Sequence, residues 1–268
     1  MTKELIDDEL WSFIEPLLPV RPSRNRRHAG RKPIADRAVL NGIIFVLRSG
    51  TAWNLLPQEL GWGSGSVCWR RLDAWQKAGV WQRIHEALLA ELRRRGQLDL
   101  KRAIVDSSSI RAVSAGKKTG PNPTDRRKLG SKHHLIVEAQ GIPLAVILSG
   151  ANCHDIKQLN ALVAAIPPIR GKRGRPLRKP RFVQGDRGYS SNKHRQALRK
   201  QGIVPELARI GAPHGSGLGK TRWVVERSIA WLHNFRRLKI RYERYDYIHE
   251  AFLSLACALI CWNKLKKP

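Results

Sequence analysis

Acidic residues are scarce in this chain: 21 Asp and Glu stand against 50 Lys and Arg in 268 residues, for a formal net charge of +29. So one-sided a balance makes a compact chain repel itself, and a polyanionic partner relieves that repulsion. Nucleic acid fits, because phosphates neutralised by Lys and Arg release condensed counterions. Solubility alone rarely requires such an imbalance. Small basic ribosomal or chromatin-type proteins are usually poorer in Trp, of which this chain has 9. The four cysteines (Cys68, Cys153, Cys257 and Cys261) form no CxxC pair. With no signal peptide visible, that pattern excludes a disulfide framework and argues for reduced thiols in a cytoplasmic, nucleoid-associated protein. The longest apolar stretch, Ala251 to Trp262, is 12 residues, short of the roughly 20 that span a bilayer, so it reads as a buried helix and no membrane partner is expected. Internal repeats are absent as well, which excludes a solenoid.

What is present divides at about residue 98. Residues 1–98 read as helices separated by basic or Gly-rich turns. Asp7 to Leu18 carries apolar residues at helical spacing, and a basic loop, Arg21 to Lys32, follows. Pro33 opens a second helix that Ser49-Gly50 ends. After a Gly-rich turn, Ser66 is a plausible N-cap for a helix over Val67 to Lys77, with Arg70 and Arg71 left available, and Trp81 to Arg95 forms another. A short helix, a turn and an Arg-bearing helix suggest a helix-turn-helix whose Val67–Lys77 segment reads the major groove; a plain helical bundle is the alternative.

From residue 99 to 268 the period changes to two, and strands alternate with helices. Ala103 to Asp106 reads as a strand, and Leu135–Ala139 with Leu144–Leu148 as a hairpin through Gln140-Gly141. Asp155 to Ile166 is a helix, followed by a loop, Arg170 to Arg181, with seven Lys or Arg in twelve residues. Phe182 to Asp186 is a strand, Asn192 to Lys200 a helix, Ile203 to Leu207 a strand, and Thr221–Phe235 and Tyr247–Leu265 are closing helices.

Because acids are few, their places carry information. Asp106 and Asp186 each follow an apolar strand, and strand ends of α/β sheets commonly carry catalytic groups. Glu226 lies in a helix among Val224, Val225 and Ile229, one turn after Arg222, where burial would be costly without a cation. Three converging carboxylates suit two Mg²⁺ (or Mn²⁺) ions about 3.5–4 Å apart, the arrangement of phosphodiester cleavage and transfer. Each acid also has a plainer reading: a strand-end cap at Asp106, a turn residue at Asp186, an ion-pair partner of Arg222 at Glu226.

Val105-Asp-Ser-Ser-Ser-Ile-Arg111, Gly185-Asp-Arg-Gly-Tyr189 and Arg222-Trp-Val-Val-Glu-Arg-Ser-Ile-Ala-Trp-Leu232 resemble the three acidic motifs of DDE insertion-sequence transposases, in the group containing insertion sequences four and five. Gly130 to Leu144, Ala151-Asn-Cys-His-Asp155 and Thr51-Ala-Trp-Asn-Leu-Leu-Pro57 are similar to that family too. The resemblance implies an α/β catalytic domain with a ribonuclease-H-like mixed sheet and flanking helices, preceded by the all-α helix-turn-helix-like domain. It implies Asp106, Asp186 and Glu226 as the metal-binding triad. It also implies double-stranded DNA, as inverted-repeat ends and target, held by a homodimer or higher synaptic complex. The family signature Tyr, Arg, Glu, Lys falls here on Gly219, Arg222, Glu226 and His233, so its first and last positions differ. Only 39 residues separate Asp186 from Glu226, too few for the β insertion of some relatives. Arg70, Arg71, Lys132, Arg187, Lys220, Arg222, His233, Arg236 and Arg237 are the residues expected on DNA. A non-catalytic regulator derived from a transposase, or a structure-specific nuclease, would share the charge but not the joining chemistry. Gly215 to Thr221 looks like a phosphate loop but has His214 where the motif needs its first Gly, so a loop carrying Lys220 and Arg222 to DNA is the better reading.

Overall fold

A computed structural model describes residues 5–20, 32–208, 211 and 219–266, with the side chains of residues 219 and 220 left out. The basic stretch 21–31 and residues 212–218, which take in the start of the expected DNA-facing loop, lie outside the described residues.

Four helices come first: α1 (Asp8–Ile14), α2 (Asp36–Ser49), α3 (Gly65–Lys77) and α4 (Val80–Arg94). Helix α2 stops at Gly50, whose φ of 75° is the left-handed cap that glycine provides without strain. The cap of α3 is Ser64, whose hydroxyl accepts from Val67 N, rather than the expected Ser66. Gly65 then enters the helix pressed against the Trp53 carbonyl, where a Cβ would stand 1.8 Å from the oxygen.

The sheet has seven strands: β1 (Arg102–Ala112), β2 (Gly120–Pro121), β3 (Leu129–Glu138), β4 (Pro143–Gly150), β5 (Phe182–Gly185), β6 (Val204–Leu207) and β7 (Ile240–Arg241). β4, β3 and β1 form an antiparallel meander, and β5 and β6 continue from β1 in parallel. That order is the ribonuclease-H-like one. β5 pairs with β1 as far as Ile104, and β7 pairs with it again only from Arg111. Between those points, among the described residues, no strand lies on that side of β1, and a gap opens in the sheet beside Asp106.

Asp106 was expected at a strand end, yet β1 runs on for six residues to Ala112. The backbone ladder with β3 carries the serine run, pairing Ser107, Ser108 and Ser109 with His134, His133 and Lys132. The expected helix over Asp155–Ile166 is a 3-10 turn, Asp155–Gln158, followed by a short α5 (Leu159–Ala164). Helix α6 (Asn192–Lys200) lies where expected, and α7 (Gly219–His233) and α8 (Asp246–Leu265) close the chain.

Helix α8 is apolar on most of its circumference because it is covered on most sides: by β4, by α7, and by α3 and α4. Its composition and length alone would allow a membrane crossing, but 72% of its apolar window is buried inside the protein. One apolar core therefore runs from Ile6 to Leu265, through both the helical and the sheet-forming segments.

Candidate active site

Three elements aim carboxylates at the gap beside β1. Asp106 projects from the middle of that strand, and its Oδ1 accepts from Ser107 N at 2.8 Å. Asp186 follows β5 directly and caps the 3-10 turn Arg187–Tyr189 by accepting from Gly188 N at 2.9 Å. Glu226 comes from α7, which is fixed at two points. At its start Thr221 Oγ1 donates to Gln184 Oε1 of β5 at 2.8 Å. Just after Glu226, Ser228 Oγ donates to Gly141 O at 2.7 Å and Arg227 Nη2 to Gln140 O at 2.6 Å. The hairpin approaches so closely that a Cβ on Gly141 (φ 91°) would lie 2.7 Å from Ser228 Oγ.

The guanidinium of Arg222 sits among the three acids. Its Nη2 lies 3.6 Å from Asp106 Oδ2 and 3.5 Å from Asp186 Oδ2, and its Nε lies 3.4 Å from Glu226 Oε1. Burial pushes the Asp106 carboxyl above the usual carboxylate range; the Ser107 N–H and Arg222 pull it back, and Asp186 and Glu226 push it further up. Glu226 is 56% exposed, so the cost of burying it, argued from its apolar sequence neighbours, does not arise: its side chain leaves the apolar face of α7.

The chemistry of this donor set suits a hard divalent cation, being three carboxylates from three elements already gathered round a positive group. As the side chains lie, with the guanidinium between them, no three Asp, Glu, His or Cys among the described residues stand ready to hold a metal ion.

The residues expected on DNA fall in different places. Arg70 is exposed, and with Arg71, Lys32, Gln58 and Ser64 it lines an open groove of about 810 Å³ at the start of α3. Arg71 pairs with Asp36 and lies over the Trp75 ring. Arg187 and Arg236 are exposed. Lys132 is held by Asp155 Oδ1 and Cys153 O, each at 2.9 Å. The Lys220 side chain is outside the described residues. His233 is half-buried with its ring against His133, and burial lowers its pKa, followed in effect by Lys239. Arg237 requires a correction. It is buried, its Nε donates to Glu243 Oε1 at 2.7 Å, and its Nη1 reaches Thr51 O at 3.1 Å, so its charge is committed inside the protein.

That ion pair belongs to a buried chain of side chains that sequence reasoning missed. His249 Nδ1 lies 3.2 Å from Glu243 Oε2, and His249 Nε2 lies 2.9 Å from His133 Nε2. His249 Nδ1 donates to the Glu243 carboxylate, and one of the two facing Nε2 atoms donates to the other. Glu243 stays below the usual carboxylate range, because hydrogen bonds and charge from His249 and Arg237 outweigh its burial. In a basic, aromatic stretch such residues look like surface, and nothing in their spacing marks them as core.

Residues 98–261 match the family described as "Transposase DDE domain". The chain belongs to that family. Residues 6–85 match a second family, described as "Putative transposase of IS4/5 family". A relative from Burkholderia cepacia, described as "Putative transposase for insertion sequence element IS402", is 63% identical over 150 residues, covering 56% of this chain and 71% of its own. The transposase for insertion sequence element IS1106 of Neisseria meningitidis serogroup B is 31% identical over 151 residues, 52% of this chain and 47% of its own. Among solved structures, the Mos1 strand transfer complex is 12% identical with a TM-score of 0.34, covering 89% of this chain and 81% of that one. DDE transposases are polynucleotidyl transferases that generally use divalent metal ions, and DNA transposase function follows from the membership.

Proposed function

We propose that this DDE transposase cleaves DNA at the terminal inverted repeats of its insertion sequence and joins the freed ends to target DNA, with Asp106, Asp186 and Glu226 as ligands of two Mg²⁺ or Mn²⁺ ions. The observation that carries the assignment is the convergence of these three acids, from β1, the end of β5 and α7, on one gap in the sheet, with distances of 3.4–3.6 Å to a shared guanidinium. Bound there, divalent ions would supply charge stabilisation at the attacking and leaving oxygens of an in-line phosphoryl transfer.

The protein's own part is alignment. The backbone donors Ser107 N and Gly188 N hold one oxygen of Asp106 and one of Asp186, leaving the other oxygen of each turned toward Arg222. The pins at Thr221 and Ser228 fix the level of Glu226 along the sheet. Such preorganisation is most of what an enzyme contributes to phosphoryl transfer. We assign residues 1–98 to positioning the DNA end, with Arg70 at the start of α3 as the exposed contact, and residues 99–268 to catalysis. Two element ends must be held together for joining, so a homodimer or higher synaptic complex is part of the proposal.

The test is a strand-cleavage and joining assay with purified protein, Mg²⁺ and oligonucleotides copied from the DNA flanking the gene, with Glu226→Gln as control. Cleavage and joining by the wild type alone is the expected result. Tight DNA binding without products from either protein would replace this reading with that of a non-catalytic regulator, and cleavage without joining with that of a nuclease.

A further inference from the structure

Arg222 is the only group among the described residues within ion-pair distance of all three carboxylates, and it is 42% exposed, so its outer side is open to solvent. A guanidinium in that position satisfies the acids in the absence of a metal, and it also occupies the space and charge that a divalent ion would take. The two states exclude each other. A cation ligated by Asp106, Asp186 and Glu226 cannot share their oxygens with an arginine 3.4–3.6 Å away without strong like-charge repulsion.

We infer that Arg222 is a built-in counter-ion of the active site, which holds the three carboxylates together before metal binds and has to swing out when a divalent cation enters. The inference rests on the assignment of the triad as metal ligands. The geometry favours displacement over permanent pairing. The three contacts are long for charge-assisted hydrogen bonds, normally about 2.7–2.9 Å, and Arg222 Nε makes no hydrogen bond. The side chain is thus held by diffuse attraction and not by a bidentate lock. It also comes from the same helix as Glu226, four residues earlier, so it can leave without moving any backbone that carries a ligand. A DNA phosphate is the natural acceptor for the released guanidinium, which would make metal and DNA binding mutually reinforcing.

The experiment measures Mn²⁺ binding to the full chain, without DNA, by electron paramagnetic resonance of free Mn²⁺, for wild type, Arg222→Gln, Arg222→Lys and Asp186→Asn. Circular dichroism melts establish that each variant is folded. Removing a competitor held by three partly exposed ion pairs should tighten Mn²⁺ binding in Arg222→Gln by about five- to tenfold. Arg222→Lys, which keeps the charge, should stay near wild type, and Asp186→Asn should bind at least tenfold more weakly. Arg222→Gln binding no tighter than wild type, with Asp186→Asn still weakened, would overturn the counter-ion role and leave the triad assignment standing. Asp186→Asn binding as tightly as wild type would overturn the triad assignment and this inference with it.

Discussion

Lowering the pH from 7.5 to 5 is expected to cost the fold at least about 4 kcal/mol, the share of two of three histidines sealed inside it. His85 is buried with Nε2 2.8 Å from the Pro143 carbonyl, and burial lowers its pKa to about 4. His134, buried beneath Ser149 and bonded to its hydroxyl at 2.7 Å, is likewise lowered by burial to about 4. His133 is pushed well below the ordinary histidine value in the same direction, by burial first and then by His249. All three are held neutral in the fold and titrate near 6.5 when unfolded. The unfolded chain therefore takes up protons first. The stability they contribute is complete above about pH 6.5 and drains away as the pH falls toward 4. At pH 5 an unfolded His is nearly all protonated while His85 and His134 are nearly all neutral, which gives about 2 kcal/mol for each. Asp106 and Glu138, raised by burial, act in the opposite sense at the acid end of that range. Urea unfolding followed by circular dichroism at fixed ionic strength, between pH 7.5 and 5, should show a slope equivalent to uptake of two to three protons. His85→Gln should remove about one of them. A flat stability profile, or an undiminished slope in His85→Gln, would refute the reasoning.

Other substitutions read the fold and the site separately. Gly65→Ala places a methyl where the Trp53 carbonyl stands 1.8 Å away, and should cost about 3 kcal/mol or more in thermal or urea melts. Arg237→Met leaves the buried Glu243 carboxylate with His249 alone and should cost about 3 kcal/mol, much of it recovered in Arg237→Met/Glu243→Leu. Glu226→Gln should abolish strand cleavage while changing unfolding stability by less than about 0.5 kcal/mol, since the side chain is 56% exposed. Arg70→Ala should weaken binding to DNA of any sequence and lower the slope of log affinity against log salt by about 1 in a fluorescence titration.

The parts of the molecule that were legible beforehand are those whose signal is local. Helix α6 matches its expected span, Asn192 to Lys200, because its signal is local: in the structure Ser191 caps it and an amphipathic run follows. The β3–β4 hairpin was read through Gln140-Gly141, since a turn residue at φ 91° calls for glycine. The acids at 106, 186 and 226 stood out by scarcity, and the structure brings them together. What was misread depends on distant partners. Ser107 to Ser109 look like a loop until β3 is laid beside them, and two-residue strands such as β7 have no periodicity to detect. Arg237 reads as one more surface cation until Glu243, six residues on, folds back against it. Arg222 was foreseen as a partner of Glu226, but its reach to Asp106 and Asp186 follows from where α7 docks, which no spacing along the chain encodes.

Helix α8 has a consequence for the order in which this protein is made. It begins at Asp246, yet it covers the apolar sides of α3 and α4, which leave the ribosome far earlier, as well as that of β4. Until α8 is synthesised, α3, α4 and β4 each lack an element they pack against in the finished fold. A nascent or truncated chain ending before that helix would expose these surfaces at once and fall to aggregation or proteolysis. Only a chain translated through Leu265 then completes the architecture that places its three acids together.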